Sequence, residues 1–339
     1  MVKTKLVAGV IGLGVGESHI QGYDDHPLCS VSKICDFDRD ALKTVGNRHP
    51  AKIRTPDPQN IIDDPNIDIV SIASFDGFHK EQVISSLKNG KHVFVEKPLC
   101  LTSSELDQII ENLNAWPNLQ LSSNLILRMA PRFMELKGKI DTGELGQIYH
   151  LEGSYDYGRL HKLTEGWRGT VPNYSVTHGG AIHLIDLMLW LSGKKAVSVQ
   201  GVGNKVPTQN SIFKGFSLTS AIIEFEDGST AQITSNFASL APHHHKLSVY
   251  GTSGTFEQSH LGTAYFYSRE PDQSPDIVET PYPGTRKGAL LYDFIESIHG
   301  NAAPFPSKQE VVDAMSVSLA IDESISSQKK ETIKYPLLK

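Results

Sequence analysis

From Lys5 to about Ser123, the chain alternates two kinds of hydrophobic pattern. Short apolar runs rich in β-branched residues are typical of buried strands, and longer amphipathic runs are typical of helices. The predicted strands cover residues 6–11, 31–35, 67–73, 92–95 and 119–122. Strands that alternate with helices predict βαβ units, so we expect a Rossmann-type α/β domain built on a doubly wound parallel sheet.

Two of the predicted helices carry end signals. Residues 77–89 have apolar side chains at helical spacing and stop at Gly90, a residue that suits the position after a helix. Thr102 and Glu105 have the spacing of a capping box, so a helix is predicted to begin there.

After about Asn124, the pattern changes to successive strand-like runs. We predict strands at residues 147–157, 197–202, 218–225, 230–237 and 247–250, and helices at 131–141, 180–191 and near the C-terminus. Asp227-Gly228 predicts a hairpin turn. This half is predicted to be an α+β domain with an open, mainly antiparallel sheet. The predicted domains are 1–123 for the cofactor and 124–339 for substrate binding and oligomerisation.

Composition narrows the range of partners and compartments. A chain of 339 residues with 39% hydrophobic residues, a net charge of −6 and no long basic run argues against binding to nucleic acid or to a membrane. Cys29, Cys35 and Cys100 cannot all pair and form no metal-binding motif, which favours a reducing cytoplasm. Lys3 and Lys5 before an apolar run resemble a signal peptide, but glycines interrupt that run.

The segment VIGLGVGESHI follows a predicted strand and opens a predicted helix, which is the context of a dinucleotide-binding loop. Gly12, Gly14 and Gly16 are the candidate cofactor residues, with the third glycine one position earlier than usual. Asp36 lies about twenty residues further on, where an acidic side chain binds the adenosine ribose. NAD is therefore expected in preference to NADP, although Arg39 is close enough to weaken that preference. An ordinary turn and a capping aspartate are the alternative interpretation.

The run HVFVEKPLCLT places Lys97 directly after a predicted strand. Ligands of doubly wound sheets bind at the carboxyl ends of the strands, where an ammonium group can hydrogen-bond an alcohol or carbonyl oxygen. The alternative is a lysine paired with Glu96 at a solvated edge.

The stretch IVSIASFDGFHKEQVISSLKNGKHVFVEKPLCLT closely resembles the signature region of the glucose-fructose oxidoreductase and inositol dehydrogenase family, known as Gfo/Idh/MocA. The resemblance implies a Rossmann domain followed by an open sheet, a catalytic Lys97 and a Lys97-Pro98 bond that is commonly cis. It also implies that cofactor contacts come from Ser74, His79, Glu96, Lys97 and Asn124. The segment HGGAIHLIDLMLWLSG resembles the family's catalytic helix, which implies that His183 is the acid/base partner and that Asp186 orients the site.

One position departs from the family pattern. Many members have an aspartate four residues before that histidine, and this chain has Gly179 there. His178, Tyr174 and Tyr157 remain open as alternative proton donors.

Candidate substrate residues concentrate in the segment EGSYDYGRLHKLTEGWRGTVPNYS. Aromatic faces stack on sugar rings and arginines bind phosphate or carboxylate groups, whereas strand aromatics are also common in sheet packing. The candidates are Tyr157, Arg159, Trp167, Arg168, Tyr174 and His178. His243 and His245 could share an ion on one strand face, but they lack a third ligand nearby in sequence, so no metal is expected.

The sequence predicts an NAD-dependent oxidoreductase, a sugar dehydrogenase that transfers a hydride between nicotinamide and a ring hydroxyl or ketone. A nucleotide sugar or sugar acid is the expected substrate, since the chain looks most like members linked to bacterial surface-polysaccharide biosynthesis. The alternatives are an inositol or polyol dehydrogenase and a non-catalytic, cofactor-binding regulatory protein. A homodimer or homotetramer is expected because an open sheet needs its exposed face covered.

Overall fold

The computed structural model describes residues 4–285 and 288–339, which form two compact units. The first unit holds residues 4–124, 288–313 and 336–339, and the second holds Leu125–Thr285 and Ala314–Tyr335. The sequence predicts a single division after residue 123, whereas two C-terminal segments of the chain return to the first unit. Hydrophobic periodicity identifies an element, but it carries no information about which of two cores the element joins.

The N-terminal part of the chain alternates strand and helix. Its strands are β1 (Leu6–Ile11), β2 (Cys29–Cys35), β3 (Ile53–Thr55), β4 (Ile69–Ile72), β5 (His92–Val95) and β6 (Leu121–Ser123). Its helices are α1 (Glu17–Asp24), α2 (Arg39–Arg48), α3 (Gln59–Ile62), α4 (His79–Lys88) and α5 (Ser103–Ala115). The strands form a parallel sheet in the order β3-β2-β1-β4-β5-β6. This order defines a Rossmann sheet and confirms the predicted α/β class.

The predicted helix ends are present. Gly90 follows α4 with a φ of 71°, and the backbone N–H of Glu105 donates to Thr102 Oγ1 over 3.2 Å at the start of α5. The Glu105 carboxylate accepts in return from the backbone N–H of Thr102, also over 3.2 Å. These contacts satisfy N–H groups that the first turn of a helix otherwise leaves without a partner.

A second sheet and several further helices follow. The next elements are α6 (Pro131–Asp141), β7 (Ile148–Asp156), α7 (His161–Thr164), α8 (Ile182–Ser192), β8 (Ala196–Asn204), β9 (Leu218–Phe225), β10 (Thr230–Asn236), β11 (His244–Gly251), β12 (Thr255–Ser259), β13 (Gly262–Phe266) and β14 (Asp276–Ile277). The chain then forms α9 (Ala289–His299), α10 (Lys308–Ser327) and β15 (Glu331–Thr332). The nine strands have the order β14-β13-β12-β11-β7-β10-β9-β8-β15.

The second sheet is mixed. β7 and β10 are parallel, and every other neighbouring pair is antiparallel. The mainly antiparallel sheet confirms the prediction for this half. The Asp227-Gly228 turn joins β9 to β10 as predicted, with Gly228 at a φ of 83°.

One face of the second sheet forms the core of its unit. Ala221, Ile223 and Phe225 of β9 are buried, while the residues between them are more exposed. A Cβ added at Gly153 of β7 would lie 2.6 Å from the Met188 side chain, so α8 packs closely on the sheet at this point. Within the described ranges, no helix is both long enough and apolar enough to cross a bilayer.

Candidate active site

The glycine loop between β1 and α1 is built for close backbone packing. A Cβ at Gly12, whose φ is 87°, would lie 2.3 Å from the carbonyl oxygen of Ala73, and one at Gly16 would lie 2.0 Å from that of Gly12. A Cβ at Gly14 would meet no atom within 4 Å. Gly12 and Gly16 therefore shape the turn, and Gly14 leaves open space at the helix N-terminus, where a pyrophosphate fits.

Asp36 follows β2 and is tied to this loop. Its Oδ2 accepts the backbone N–H of Leu13 over 2.8 Å, and its Oδ1 accepts that of Asp38 over 2.9 Å. The carboxylate thus fixes the glycine loop, and each oxygen keeps a further lone pair for a ribose hydroxyl. Arg39 lies in the exposed first turn of α2.

His79 supports the loops beside the cofactor residues, which differs from the contact role expected for it. The side chain is fully buried, with Nδ1 at 2.6 Å from the carbonyl oxygen of Pro98 and Nε2 at 3.1 Å from that of Ser74. Ser74 in turn donates from Oγ to Gln82 over 2.7 Å. Because His79 joins the chain after β4 to the chain after β5, we reassign it from cofactor contact to positioning.

Glu96 belongs to a buried hydrogen-bond network. Its Oε1 accepts from Asn124 Nδ2 over 2.6 Å and lies 3.2 Å from Nε2 of His19. Nδ1 of His19 lies 3.0 Å from the Ser71 hydroxyl on β4. Burial raises the pKa of Glu96, but the hydrogen bond and charge of His19 outweigh it, so the pKa lies below its usual value. The network fixes the chain immediately before Lys97.

Lys97 lies two residues after the end of β5, at the carboxyl edge of the parallel sheet. It is half-buried, and the Lys97-Pro98 peptide is cis, as the resemblance implies. Its charge contributes to the low pKa of Glu96. Asp36, Ser74 and Lys97 therefore all follow parallel strands at one edge of the sheet, which is where ligands of this fold bind.

A π-helical turn, Thr177–Ala181, precedes α8 in the second unit and places His183 in the first turn of that helix. His183 is partly exposed, whereas Asp186 is fully buried. Arg128 donates from Nε to Oδ2 of Asp186 over 2.8 Å and from Nη2 to Oδ1 over 2.5 Å. A buried bidentate ion pair thus engages the Asp186 carboxylate, and its expected role in orienting the catalytic site stays a prediction.

His178 also differs from its predicted role. It is 1% exposed, with Nδ1 at 2.7 Å from the Ser318 hydroxyl and Nε2 at 3.2 Å from a carboxylate oxygen of Asp322. Both partners lie on α10, so we reassign His178 from the substrate site to the packing of that helix.

Tyr174 occupies the space beside Gly179. A Cβ added at Gly179 would lie 2.2 Å from the Tyr174 hydroxyl oxygen, and one at Gly180 would lie 2.5 Å from the Tyr155 ring. The two glycines therefore make room for two tyrosines, and a phenol lies next to the backbone at position 179, which departs from the expected family pattern.

Aromatic and histidine rings surround Tyr155 next to His183. The centroid of the Tyr155 ring lies 6.4 Å from that of His183, 5.5 Å from that of Tyr157 and 5.1 Å from that of His245. Tyr157 and His183 thus share Tyr155 as a neighbour within one cluster. Sequence reasoning counted Tyr155 among the aromatic residues of the substrate segment but did not select it as a site residue, although its alternation with Tyr157 places both on one face of a strand.

His245 on β11 and His243, directly before that strand, have lowered pKa values. Burial lowers the pKa of His245 to about 3, and desolvation lowers that of His243 to about 4. The Tyr282 hydroxyl lies 2.5 Å from Nδ1 of His245. Among residues 4–285 and 288–339, no group of three His, Cys, Asp or Glu side chains is arranged to hold a metal ion.

The predicted substrate residues Arg159, Trp167 and Arg168 lie on the segment 158–173, here called the basic loop. Gly158 and Asn173, at its two ends, have φ values of 61° and 59°. The Arg159 guanidinium carbon lies 4.9 Å from the centroid of the Tyr157 ring, and that of Arg168 lies 4.5 Å from the centroid of Trp167. The structure thus brings four predicted substrate residues into two stacked pairs.

A Rossmann sheet with a glycine turn, an acidic residue after β2 and a lysine after β5 defines a dinucleotide-binding oxidoreductase. The model of the oxidoreductase family with an NAD-binding Rossmann fold, GFO_IDH_MocA, matches residues 6–119, and that of the GFO/IDH/MocA C-terminal domain matches residues 133–257. The chain therefore belongs to the Gfo/Idh/MocA family of NAD-binding oxidoreductases.

Similar proteins agree with this assignment. The myo-inositol 2-dehydrogenase of Thermotoga maritima is 26% identical over 300 residues, covering 85% of this chain and 82% of the relative. The uncharacterized oxidoreductase YrbE of Bacillus subtilis is 27% identical over 265 residues, covering 74% and 73%. A levoglucosan dehydrogenase solved with NADH is 22% identical, with a TM-score of 0.87 over 98% of this chain and all of that chain, which supports the fold.

Proposed function

We propose that the protein oxidises a ring hydroxyl of a sugar or cyclic polyol to a ketone, or catalyses the reverse reduction. The observation that carries this proposal is the position of Lys97 at the ligand-binding edge of the parallel sheet, within a family of NAD-binding oxidoreductases. NAD supplies the hydride acceptor when it is bound, and Gly12, Gly14, Gly16 and Asp36 are the residues proposed to hold it.

The oxidation breaks the C–H bond and the O–H bond of one secondary alcohol. When NAD is bound, its nicotinamide would accept the carbon-bound hydrogen as a hydride, and the hydroxyl proton would pass to a base, so that the alcohol would become a ketone. In our proposal, Lys97 donates a hydrogen bond to the reacting oxygen and His183 takes the proton. Because the two residues lie in different units, their joint action rests on the family resemblance rather than on a measured distance.

Tyr174 is our candidate for the role left open at Gly179. Its hydroxyl lies where a side chain at position 179 would begin, and a phenol can both donate and accept a hydrogen bond. Tyr157 remains a second candidate, because its ring belongs to the cluster that also contains His183.

The substrate is proposed to be a sugar or a sugar-like polyol. The relatives named for an inositol and for levoglucosan favour a cyclic polyol or an anhydrosugar. A nucleotide sugar or sugar acid, and with it a role in polysaccharide biosynthesis, is favoured by the arginines of the basic loop. Location in the cytoplasm stays a prediction based on the reduced cysteines.

The test is a substrate panel. NADH formation is followed with NAD and myo-inositol, scyllo-inositol, levoglucosan, D-glucose and UDP- and dTDP-sugars, at several enzyme concentrations. We expect at least one member to give a rate proportional to enzyme, and competition by UDP to distinguish nucleotide sugars from free polyols. The rival proposal, a non-catalytic regulatory protein, predicts NAD binding without NADH formation from any member of the panel.

Self-association belongs to the same proposal. Along β9, the side chains on the face opposite the core are Ser220, Ile222 and Glu224, and Ile222 is 46% exposed. The mixture of polar and apolar side chains suits an interface between copies. Sedimentation of the purified chain, compared with that of an Ile222→Lys variant, tests whether a homodimer or homotetramer forms through this face.

A further inference from the structure

The basic loop carries three cations in a short segment. Arg159, Lys162 and Arg168 stand on it, and Glu165 is the acidic residue among them. The loop leaves β7 at Gly158, whose left-handed backbone packs so closely that a Cβ would lie 2.6 Å from the carbonyl oxygen of Ala241. A Cβ at Gly169 would lie 2.1 Å from the carbonyl oxygen of Leu163, so the loop is folded on itself.

Arg159, Lys162 and Arg168 differ from Lys194 and Lys246 of the second unit in having no carboxylate partner among the described residues. In the part of the chain that the structure describes, no carboxylate oxygen lies within the 4.0 Å of an ion pair from Arg159, Lys162 or Arg168. Lys246, by contrast, pairs with Asp156 at 3.2 Å, and Lys194 pairs with Asp227 at 2.5 Å. Three like charges on one loop that form no ion pair repel one another, and a bound anion would reduce that repulsion.

The cations converge on the aromatic cluster that contains His183. Arg159 lies 4.9 Å and the Lys162 ammonium 5.6 Å from the centroid of the Tyr157 ring. Although burial raises the pKa of Tyr157, hydrogen bonds from Lys162 and Arg159 and the charge of Arg168 leave it below the usual value. Arg159 and Lys162 therefore lie beside the Tyr157 ring, and the charge of Arg168 also acts on that tyrosine. Tyr155 is a neighbour of both the Tyr157 ring and the His183 ring.

We propose that Arg159, Lys162 and Arg168 form a subsite for an anionic group of the substrate, a carboxylate or a phosphate attached to the sugar. Arginine binds such groups through two parallel hydrogen bonds, and lysine adds a point charge. This inference rests on the proposed function only in that it places the subsite beside the reacting sugar. It narrows the substrate from neutral polyols to sugar acids, sugar phosphates or nucleotide sugars.

Direct binding tests the subsite without turnover. Thermal shifts are measured in the presence of NADH with D-glucuronate and UDP-glucose as anionic probes and D-glucose as the neutral probe. Wild type is compared with Arg159→Gln/Lys162→Gln, with Arg168→Gln and with Arg269→Gln, which removes an exposed cation elsewhere in the same unit. The melting temperature and NADH binding of each variant alone establish that it is folded.

We expect an anionic probe to bind wild type at least tenfold more tightly than D-glucose and to lose at least tenfold in affinity in the basic-loop variants. The Arg269→Gln protein should retain the wild-type preference, and high salt should weaken anion binding more than glucose binding. Preference for D-glucuronate alone indicates a sugar acid, and preference for UDP-glucose alone indicates a nucleotide sugar. Either result supports the subsite.

The subsite proposal fails if no anionic probe binds more tightly than D-glucose, or if the basic-loop variants bind anions as wild type does. NADH formation is recorded in parallel, so this failure is separable from failure of the proposed function. Anion binding that requires the three cations but gives no NADH from any sugar would uphold the subsite and overturn the dehydrogenase. NADH formation from neutral sugars, without preferential binding of anions, would uphold the dehydrogenase and overturn the subsite.

Discussion

At the scale of single residues, Gly179 illustrates how a missing Cβ decides which chemical group a site contains. The hydroxyl of Tyr174 stands 2.2 Å from where that Cβ would be. A side chain at 179 would therefore require the Tyr174 ring to move, and the chain has glycine at that position. Comparison with the family's sequence pattern finds the glycine, but only the fold reveals the residue that takes its space.

Tyr174→Phe tests the role proposed for that hydroxyl. We expect kcat to fall by about a hundredfold, the lower end of what a proton-transfer group contributes, with NADH binding retained. Steady-state kinetics with a substrate from the panel measures this change. Tyr149→Phe, at an exposed tyrosine of β7, is the matched control. Wild-type kcat in Tyr174→Phe would leave Tyr157 as the remaining candidate.

Asp36 is expected to set the cofactor preference. Asp36→Ala removes the acceptor proposed for the ribose and the charge that would repel a phosphate on it. We expect the ratio of NAD to NADP affinity to fall by at least tenfold, measured by fluorescence titration with the reduced cofactors. Stability should fall by about 1–3 kcal/mol, because the Leu13 and Asp38 amides lose their acceptor. Asp63→Ala, at an exposed carboxylate, should change neither; an unchanged cofactor ratio in Asp36→Ala would contradict the assignment.

Glu96 is expected to make the stability of the protein fall as the pH is lowered. Its folded-state pKa lies below the ordinary value of 4.5 for a glutamate, so its contribution to stability is present above about that pH and is lost as the pH falls through the folded-state pKa. Urea unfolding from about pH 6 to about pH 3 should therefore show a steeper loss of stability in wild type than in Glu96→Gln. Glu111→Gln, on the exposed side of α5, should follow wild type. Parallel curves for wild type and Glu96→Gln would count against the network with His19.

At the scale of elements, regular hydrophobic patterns predicted the bounds of several strands and helices correctly. β1, β5, β9 and α6 have the predicted bounds, because each buries a regular set of apolar side chains. β3, β12, β13, β14 and β15 were not predicted, since they have two to five residues and expose many of them, which leaves little periodic signal. Contacts distant in sequence, such as His19 with Glu96 or Arg128 with Asp186, left no local pattern to recognise.

The Arg128–Asp186 pair is predicted to hold the turn Ile126–Met129 on α8. Both side chains are almost completely buried, so Asp186→Ala leaves a buried guanidinium without its carboxylate and should cost about 3–5 kcal/mol. Denaturant unfolding measures this loss. Lys330→Ala, which breaks the exposed pair with Glu224, should cost less than about 1 kcal/mol. A similar small cost for Asp186→Ala would contradict the structural role and reopen the catalytic one.

At the scale of the whole molecule, the residues proposed to bind the cofactor belong to the unit of the parallel sheet, and those proposed to bind the substrate belong to the unit of the mixed sheet. The first unit contains the glycine loop, Asp36 and Lys97, and the second contains His183 with its aromatic cluster and the basic loop. Sequence reasoning assigned each of these residues to the correct half, since motifs are local. It could not separate supporting residues such as His79, His178 and Asp186 from those exposed to a ligand, because burial depends on the assembled core.

The most direct test of the account is NADH formation by Lys97→Met under single-turnover conditions, with the best substrate from the panel. We predict a loss of at least a thousandfold in the rate, because the reacting oxygen loses its hydrogen-bond donor, with NAD binding and melting temperature close to wild type. Lys88→Met, at an exposed lysine at the end of α4, should react at the wild-type rate. A Lys97→Met protein that forms NADH as fast as Lys88→Met would contradict the central claim that Lys97 acts on the substrate oxygen.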